Sequence, residues 1–402
     1  MSFRARRFER GIRAFVALFA VLLCAASAGA GPREQAKRIH DRLVGVPPSA
    51  ARLDSMTALL STGQHVDAIA AAQQAMTHPA FYRTALKNFI TPWTNVERTV
   101  FADLNDYTAT VIGIIRDDRP FTDVLTADLV YVGGPGTAPT GYAQEDNIHY
   151  EQLETLKVDL GNPARLVPTA QSSLPGSQIT PADAAGVITT RAAGMAFFSG
   201  GTNRRMFRFT AINYLCRDLE QLKDVSRPAD RIRQDVNRSP GGDSAVFHNE
   251  CIGCHSGMDP MAGAFAFFQW DPDQLRTVFT RNQVQPKHLI NANVFPGGYV
   301  TVDDRWDNFW REGPMSALGW RAAASGGFGP KSFGEEIVRS RAFSLCQVEK
   351  VFEHVCFKPP QTQNDADAIV QIADLFEAPN QNGVSYSMRS VFAEVAVYCM
   401  GQ

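Results

Sequence analysis

Residues 251–255 constrain this chain more than any other stretch, because they have the sequence Cys-Ile-Gly-Cys-His. Cys251 and Cys254 are spaced one helical turn apart, so both thiols can add to the vinyl groups on one edge of a porphyrin. Such a C-x-x-C-H run is typical of c-type haem attachment. A neutral imidazole nitrogen is an ordinary proximal ligand of haem iron. We therefore predict one covalent haem c, attached through Cys251 and Cys254 and ligated by His255.

Two other chemistries use paired cysteines. Structural zinc usually takes four Cys or His ligands, often from a second C-x-x-C pair, and this sequence has no second pair. A thioredoxin-like redox pair lies in a βαβ context, which the surrounding residues do not indicate. Coincidence explains the motif poorly, since a chain with 7 Cys and 8 His in 402 residues rarely contains it by chance. Zinc binding and thiol redox chemistry remain as alternatives to covalent haem.

The first 30 residues predict a secretory signal peptide. Arginines are frequent in residues 4–13, an apolar run follows at 14–24, and small residues end the segment at 25–31. The apolar run is short for a membrane span. Haem is attached to C-x-x-C-H motifs outside the cytoplasm in bacteria, so the signal and the motif support each other. We expect a mature protein that is periplasmic or otherwise exported.

Composition indicates a globular chain without a nucleic-acid or membrane role. The sequence is 45% hydrophobic and 20% charged, with a formal net charge of −2. After the signal, no stretch approaches 18 uninterrupted apolar residues, and no basic block stands out. We therefore expect no membrane span in the mature chain and no nucleic-acid partner.

Periodicity predicts a mainly α fold. Apolar residues recur at three- and four-residue spacing in 49–60, 63–76, 79–90 and 203–222, which predicts four helices. A glycine- and proline-rich stretch at 130–139 lacks the Gly-Lys-Ser/Thr end of a phosphate-binding loop. The predicted segments are 1–30 (signal peptide), 31–130 (helical N-terminal domain), 131–202 (loop-rich connection), 203–330 (haem c-binding region) and 331–402 (C-terminal helical domain).

Residues around the motif suggest how the haem is packed. Asp259 followed by Pro260 has the pattern of an N-cap and first helical position, which predicts a helix that starts there and continues through 265–268. Guanidinium groups match the geometry of haem propionates, although a salt-bridged surface is an equally good explanation of nearby arginines. The candidates for propionate binding are Arg231, Arg233 and Arg238.

The motif and the tail resemble a known family. Residues 254–260, Cys-His-Ser-Gly-Met-Asp-Pro, resemble the C-x-x-C-H-x-x-x-D-P signature of planctomycete-type cytochrome c domain proteins. The tail 340–400 is similar to the C-terminal helical domain of that family, so the resemblance covers roughly the last 200 residues. Gly263 departs from the pattern, because it follows Pro260 by three residues rather than two. The resemblance implies an exported haem protein with a C-terminal domain of unknown function.

The sixth ligand of the iron separates the candidate functions. A methionine favours electron transfer at a raised potential, whereas an open position permits peroxide or oxygen chemistry. Met315 lies in a loop, Arg-Glu-Gly-Pro-Met, of the kind that can carry a thioether to the far face of the haem, and it is our candidate. The alternatives are Met258, Met261, Met388, His248 and His288.

Three functions follow from a single covalent haem. The main prediction is one-electron transfer with a redox partner protein that the sequence does not identify. The second is a haem enzyme that acts on peroxide or on a small organic substrate. The third is a structural protein that uses haem and disulfides to hold its fold while it binds a partner. The sequence assigns no catalytic residue.

Four further cysteines predict two disulfides, because an exported protein with an even number of cysteines outside its haem site commonly oxidises them. A continuous helix over 335–357 would place Cys346 and Cys356 about 15 Å apart, beyond the reach of a disulfide. Four buried free thiols are the alternative. The two allowed connectivities are Cys216–Cys346 with Cys356–Cys399, and Cys216–Cys356 with Cys346–Cys399.

Overall fold

A computed structural model describes residues 30–401 of the chain, in which helices account for 51% of the residues and strands for 6%. The mainly α fold class is therefore confirmed. Apart from residue 30, the predicted signal peptide lies outside the described residues. Across 30–401, no helix combines the length and the apolar character needed to cross a membrane.

The N-terminal part is a set of short packed helices, close to the predicted ones. Ser49 caps the second helix, because its side chain accepts a hydrogen bond from the amide of Arg52. The fourth helix begins as a π-helical turn and continues as an α-helix. The bounds are α1 (Pro32–Val44), α2 (Ala50–Leu60), α3 (His65–Ala75), α4 (81–90, from Phe81–Leu86 and Lys87–Ile90) and α5 (Asp106–Arg116).

The middle segment is more ordered than a loop-rich connection. Two four-residue strands pair antiparallel, with Val130 opposite Thr169, and the side chains of Tyr150 and Phe198 are buried in the core. Strands this short carry too little alternation to be recognised from the sequence. The elements are α6 (Asp123–Thr126), β1 (Val130–Gly133), α7 (Ile148–Thr155), β2 (Leu166–Thr169) and α8 (191–198, from Arg191–Ala193 and the π turn Gly194–Phe198).

The region of the C-x-x-C-H motif contains two helices and two hairpins. The predicted helix over 203–222 is shorter than expected, because the chain turns at Cys216, which has a left-handed conformation with φ 52°. The strands pair antiparallel, Phe268 with Phe279 and Arg305 with Phe328. The elements are α9 (Arg204–Leu215), α10 (244–262, from Ser244–Val246, Phe247–Cys251 and Ile252–Ala262), β3 (Phe268–Asp271), β4 (Arg276–Phe279), β5 (Arg305–Asp307) and β6 (Gly326–Phe328).

The prediction that Asp259 and Pro260 start a helix is wrong. Both residues lie in the last turns of α10, which ends at Ala262. Pro260 removes one backbone donor from a helix that stops two residues later, so the loss is confined to its end. The chain then passes through a 3₁₀ turn, Gly263–Phe265, into β3. The side chain of Asp259 forms ion pairs and hydrogen bonds and caps no helix.

Four helices form the C-terminal part. The predicted helix over 335–357 is interrupted, because Ser340 caps a new helix by accepting a hydrogen bond from the amide of Phe343. Cys346 and Cys356 nevertheless share one helix. The bounds are α11 (Gly329–Val338), α12 (Arg341–Cys356), α13 (Gln363–Glu377) and α14 (Met388–Tyr398).

The four cysteines outside the motif are paired in the first of the two allowed connectivities. Cys216 pairs with Cys346, with Cα atoms 5.2 Å apart, and Cys356 pairs with Cys399, with Cα atoms 5.6 Å apart. The first pair ties the end of α9 to α12. The second closes a loop with a sequence separation of 43, and therefore lies wholly within the C-terminal helices.

One hydrophobic core runs from Ala36 in α1 to Val397 in α14 and includes residues of every predicted segment after the signal. The first and last helices pack together in it, since α14 contacts both α1 and α3. A second, small cluster lies beside the motif and consists of Ile232, Val236, Phe247 and Ile252. Helix α10 therefore has its C-terminal half in the main core and its first turns on the small cluster.

Candidate haem site

Helix α10 carries the whole C-x-x-C-H motif. Cys251 is the last residue of its π-helical turn, and Cys254 and His255 lie in the α-helical turn that follows. Both thiols are free and half-buried. Since the other four cysteines that the structure describes are paired, Cys251 and Cys254 remain available for thioether bonds, one helical turn apart as the sequence predicts.

A segment just after α9 lies against the motif. The amide of Asp224 donates to the carbonyl of Gly253 at 2.9 Å, and a Cβ at position 253 would overlap the side chain of Lys223. The Cys254 thiol contacts the carbonyl of Leu219 at 3.6 Å. Burial, with a smaller contribution from the charge of Glu220, raises the pKa of the Cys254 thiol. The segment that follows α9 therefore holds the Cys254 side chain in place.

His255 has one nitrogen engaged and one free. Its Nδ1 lies 3.0 Å from Oδ1 of Asp259, one helical turn further along α10. The His255 side chain is 22% exposed, whereas that of Asp259 is fully buried. Its Nε2 makes no hydrogen bond to any residue within 30–401. A carboxylate partner accepts from Nδ1–H, so this arrangement leaves the Nε2 lone pair for a metal ion.

Asp259 is at the centre of a buried charge network. Arg204 donates to both of its oxygens, from Nε at 2.6 Å and from Nη2 at 2.8 Å, and the amide of Arg233 donates to Oδ2 at 3.2 Å. Arg204 also donates to both oxygens of Asp235, at 2.7 and 2.8 Å. Burial favours the neutral acid, but Arg204 and the hydrogen bond from His255 hold the pKa of Asp259 well below its ordinary value.

Arg204 and Asp235 are not among the site residues predicted from the sequence. The pair His255 and Asp259 has a sequence signal, since residues four apart share one face of a helix. Arg204 has none, because it reaches Asp259 through the packing of α9 against α10. Asp235 lies in an irregular segment, where no periodicity indicates which way a side chain points.

The three arginines proposed for propionate binding differ in what they contact. Arg238 donates to the carbonyls of Ile232 and Val236 from its two Nη atoms and stacks on two phenylalanine rings. Arg231 pairs with Asp307, and its Nε is buried without a partner in the described chain. Arg233 is buried with both Nε and Nη2 unpartnered there. Binding of the haem propionates stays a prediction for all three arginines.

The histidines offered as alternative sixth ligands are poorly suited. His288 is buried, its Nδ1 lies 2.9 Å from Nη1 of Arg233, and its Nε2 lies 3.2 Å from Nδ2 of Asn203. Burial, together with the charge of Arg233, lowers the pKa of His288 to about 2. Both of its nitrogens are thus occupied by internal contacts. His248 is exposed in the π turn that ends at Cys251, on the same helix as His255.

The four candidate methionines lie in three different parts of the fold. Met258 and Met261 are buried on α10, three and six residues after His255, so they approach a haem from the side of His255 rather than from the opposite face. Met388 is buried at the start of α14. Met315 lies half-buried in a 3₁₀ turn, Pro314–Leu318, against the main core.

The loop that carries Met315 is anchored at two points. Arg311 makes a two-pronged ion pair with the fully buried carboxylate of Glu336, at 2.9 and 2.7 Å. Trp310, one residue earlier, packs on α10 at Gly257. The backbone carbonyl of Met315 accepts a hydrogen bond from the indole of Trp320 at 3.0 Å. The loop is therefore fixed against α10, and ligation by Met315 stays a prediction.

Covalent haem, zinc and a thiol redox pair make different demands on the motif residues. In the described part of the chain, no three His, Cys, Asp or Glu side chains are grouped to hold a metal ion. The three sheets are two-stranded antiparallel hairpins, which gives no βαβ setting for a thioredoxin-like pair. Two free thiols and an imidazole with a free Nε2 meet the needs of haem c.

Comparison of the chain with protein-family models, with curated proteins and with solved structures finds no match.

Proposed function

We propose that this protein is an exported c-type haem protein that transfers single electrons through one haem bound to Cys251 and Cys254. The observation that carries the proposal is the state of His255, whose Nδ1 is held by Asp259 while Nε2 is free, directly after two unpaired thiols. Haem supplies one-electron chemistry when bound. The resemblance of residues 254–260 to planctomycete-type cytochrome c domain proteins supports the same proposal.

Each residue of the site has a role in this proposal. Cys251 and Cys254 would hold the porphyrin through thioether bonds, and His255 would ligate the iron through Nε2. Ile252 and the small cluster beside it exclude water from one side of the motif. Arg231 and Arg233 offer buried N–H groups to anionic oxygens such as those of the propionates. The electron acceptor or donor is a partner protein of unknown identity.

The test is the mass of the exported protein from a host competent in cytochrome maturation. We expect one haem that survives acid-acetone extraction and denaturation. Substitution of both Cys251 and Cys254 by Ser should abolish attachment, whereas the same double change at Cys216 and Cys346 should leave the haem in place. His255→Ala should keep the haem attached and alter the spectrum of the iron. A haem-free wild-type mass would refute the proposal.

One observation favours haem catalysis as a second candidate function. A carboxylate that accepts from the axial histidine makes that ligand more basic, so it donates more electron density to the iron. Increased donation to the iron is the property by which a thiolate ligand favours O–O cleavage. Low-spin reduced bands that carbon monoxide does not shift would support electron transfer. High-spin iron that binds carbon monoxide would support the enzyme.

A further inference from the structure

We infer that Asp259 is the positioning residue that selects the Nδ1–H tautomer of His255 and strengthens it as an iron ligand, and that Arg204, shared with Asp235, limits this effect. The inference rests on the proposed haem at His255 for its effect on the iron. The choice of the His255 tautomer is a property of the polypeptide and does not require haem.

The contact between His255 and Asp259 is built into α10. His255 and Asp259 are four residues apart on one helix, with Nδ1 and Oδ1 3.0 Å apart. The Asp259 side chain is fully buried and is held from the other side by Arg204. Its orientation is therefore set by the fold and needs no haem. An ionised carboxylate can only accept a hydrogen bond. Asp259 therefore selects the tautomer of His255 that carries its proton on Nδ1, and the lone pair of Nε2 then points away from Asp259.

The negative charge of Asp259 is shared among several hydrogen-bond donors. Its two oxygens offer about four acceptor sites. Arg204 takes two, the amide of Arg233 takes one, and His255 takes one. Because three of these four hydrogen bonds come from elsewhere, His255 receives part of the negative charge rather than all of it.

The charged groups around Asp259 balance one another. Arg204 and Arg233 supply two positive charges, and Asp235 and Asp259 supply two negative ones, so the charges of the four groups sum to zero. Arg204 bridges the two carboxylates with paired hydrogen bonds to each. Asp235 competes with Asp259 for the same guanidinium. Loss of Asp235 should therefore tighten the hold of Arg204 on Asp259 and weaken the donation from Asp259 to His255.

The effect on the iron follows from these steps. A more basic histidine stabilises the oxidised iron and lowers the reduction potential. Asp259→Asn keeps the shape of the side chain but removes its charge and replaces one acceptor oxygen by an NH2 donor, so it should raise the potential. Asp235→Asn does not touch His255 and should raise the potential by a smaller amount. The two variants remove the same charge from the same network, and they differ in whether the changed side chain contacts His255.

The tautomer is tested first, on the full-length haem-free protein from a host without cytochrome maturation. Imidazole ¹⁵N spectra should show His255 as the Nδ1–H form, and Asp259→Asn should admit the Nε2–H form, while Asp235→Asn should not. A predominant Nε2–H form in the wild-type chain would overturn the inference. This measurement does not depend on whether haem is ever attached.

The potential is tested on the haem-loaded proteins, after the mass of each has been measured. Absence of haem from the wild type would refute the proposed function and leave the tautomer result standing. Equal potentials in the wild type and Asp259→Asn, with haem attached to both, would overturn the inference and leave the proposed function standing. A rise for Asp235→Asn at least as large as that for Asp259→Asn would also overturn it, because the effect would then be one of total charge.

Discussion

The indole of Trp310 rests directly on the backbone of Gly257, so closely that a Cβ at position 257 would overlap the ring. Trp310 is fully buried and also packs against Phe207 of α9, with ring centroids 5.8 Å apart. Gly257 follows His255 by two residues. This contact therefore joins the loop that carries Met315 to α10, close to His255 along the helix.

We expect Gly257→Ala to destabilise the protein by about 1–3 kcal/mol, the range for forcing extra volume into a packed core. In an isolated helix the same change would stabilise the helix by about 1 kcal/mol. A decrease in the free energy of unfolding would therefore indicate the contact with Trp310. Trp310→Phe in the Gly257→Ala background should recover part of the loss. Gly141→Ala, where a Cβ meets nothing within 4 Å, is the control. Urea denaturation measures all four proteins, and an unchanged or raised stability of Gly257→Ala would contradict the contact.

Met315 is expected to ligate the iron opposite His255. Met315→Ala should convert low-spin iron to high-spin iron and lower the reduction potential, because a thioether ligand raises it. Met261→Leu is the matched control, since Met261 is buried on α10 and lies on the side of His255. Optical spectra of the oxidised and reduced proteins make the measurement. An unchanged spectrum in Met315→Ala would move the assignment to Met388 or another residue.

The two disulfides should contribute unequally. Cys216 and Cys346 are separated by 130 positions. In the chain-entropy model, a disulfide that closes a loop of this length stabilises the folded protein by about 5 kcal/mol. The pair Cys356–Cys399, with a separation of 43, stabilises by about 4 kcal/mol. Replacing both members of a pair by Ser should therefore cost more for the first pair. Peptide mapping without reduction identifies the pairs, and a linked peptide from Cys346 and Cys356 would contradict the continuous helix α12.

His354 should make the protein sensitive to acid. Burial beside Phe89 lowers the pKa of His354 from 6.5 to about 4. Because the folded protein holds this ring neutral, its contribution to stability is complete above about pH 6.5 and is lost as the pH falls towards 4. The slope is at most about 1.4 kcal/mol per pH unit. His354→Gln should remove this slope, whereas His248→Gln, at an exposed position, should not. Equal pH profiles of His354→Gln and the wild type would contradict this.

Local patterns determined a large part of the helical structure. The spacing of apolar residues located α2, α3 and α4 to within about two residues, because one helix face meets the core every three or four positions. The same rule placed Cys251 and Cys254 one turn apart on a helix. The N-cap pattern, by contrast, gave a wrong helix start at Asp259, since an aspartate followed by a proline can occur near the end of a helix as well as at its start.

The sequence by itself determined which residues can carry the haem chemistry, since the two thiols and the imidazole of 251–255 are neighbours along the chain. The tertiary structure decided what surrounds them. Arg204 reaches Asp259 because α9 packs on α10, and Trp310 reaches Gly257 because its loop is anchored to Glu336. The contacts of Arg204 with Asp259 and of Trp310 with Gly257 join residues that are more than 50 positions apart, and they depend on how buried surfaces and charges are satisfied together rather than on any local repeat.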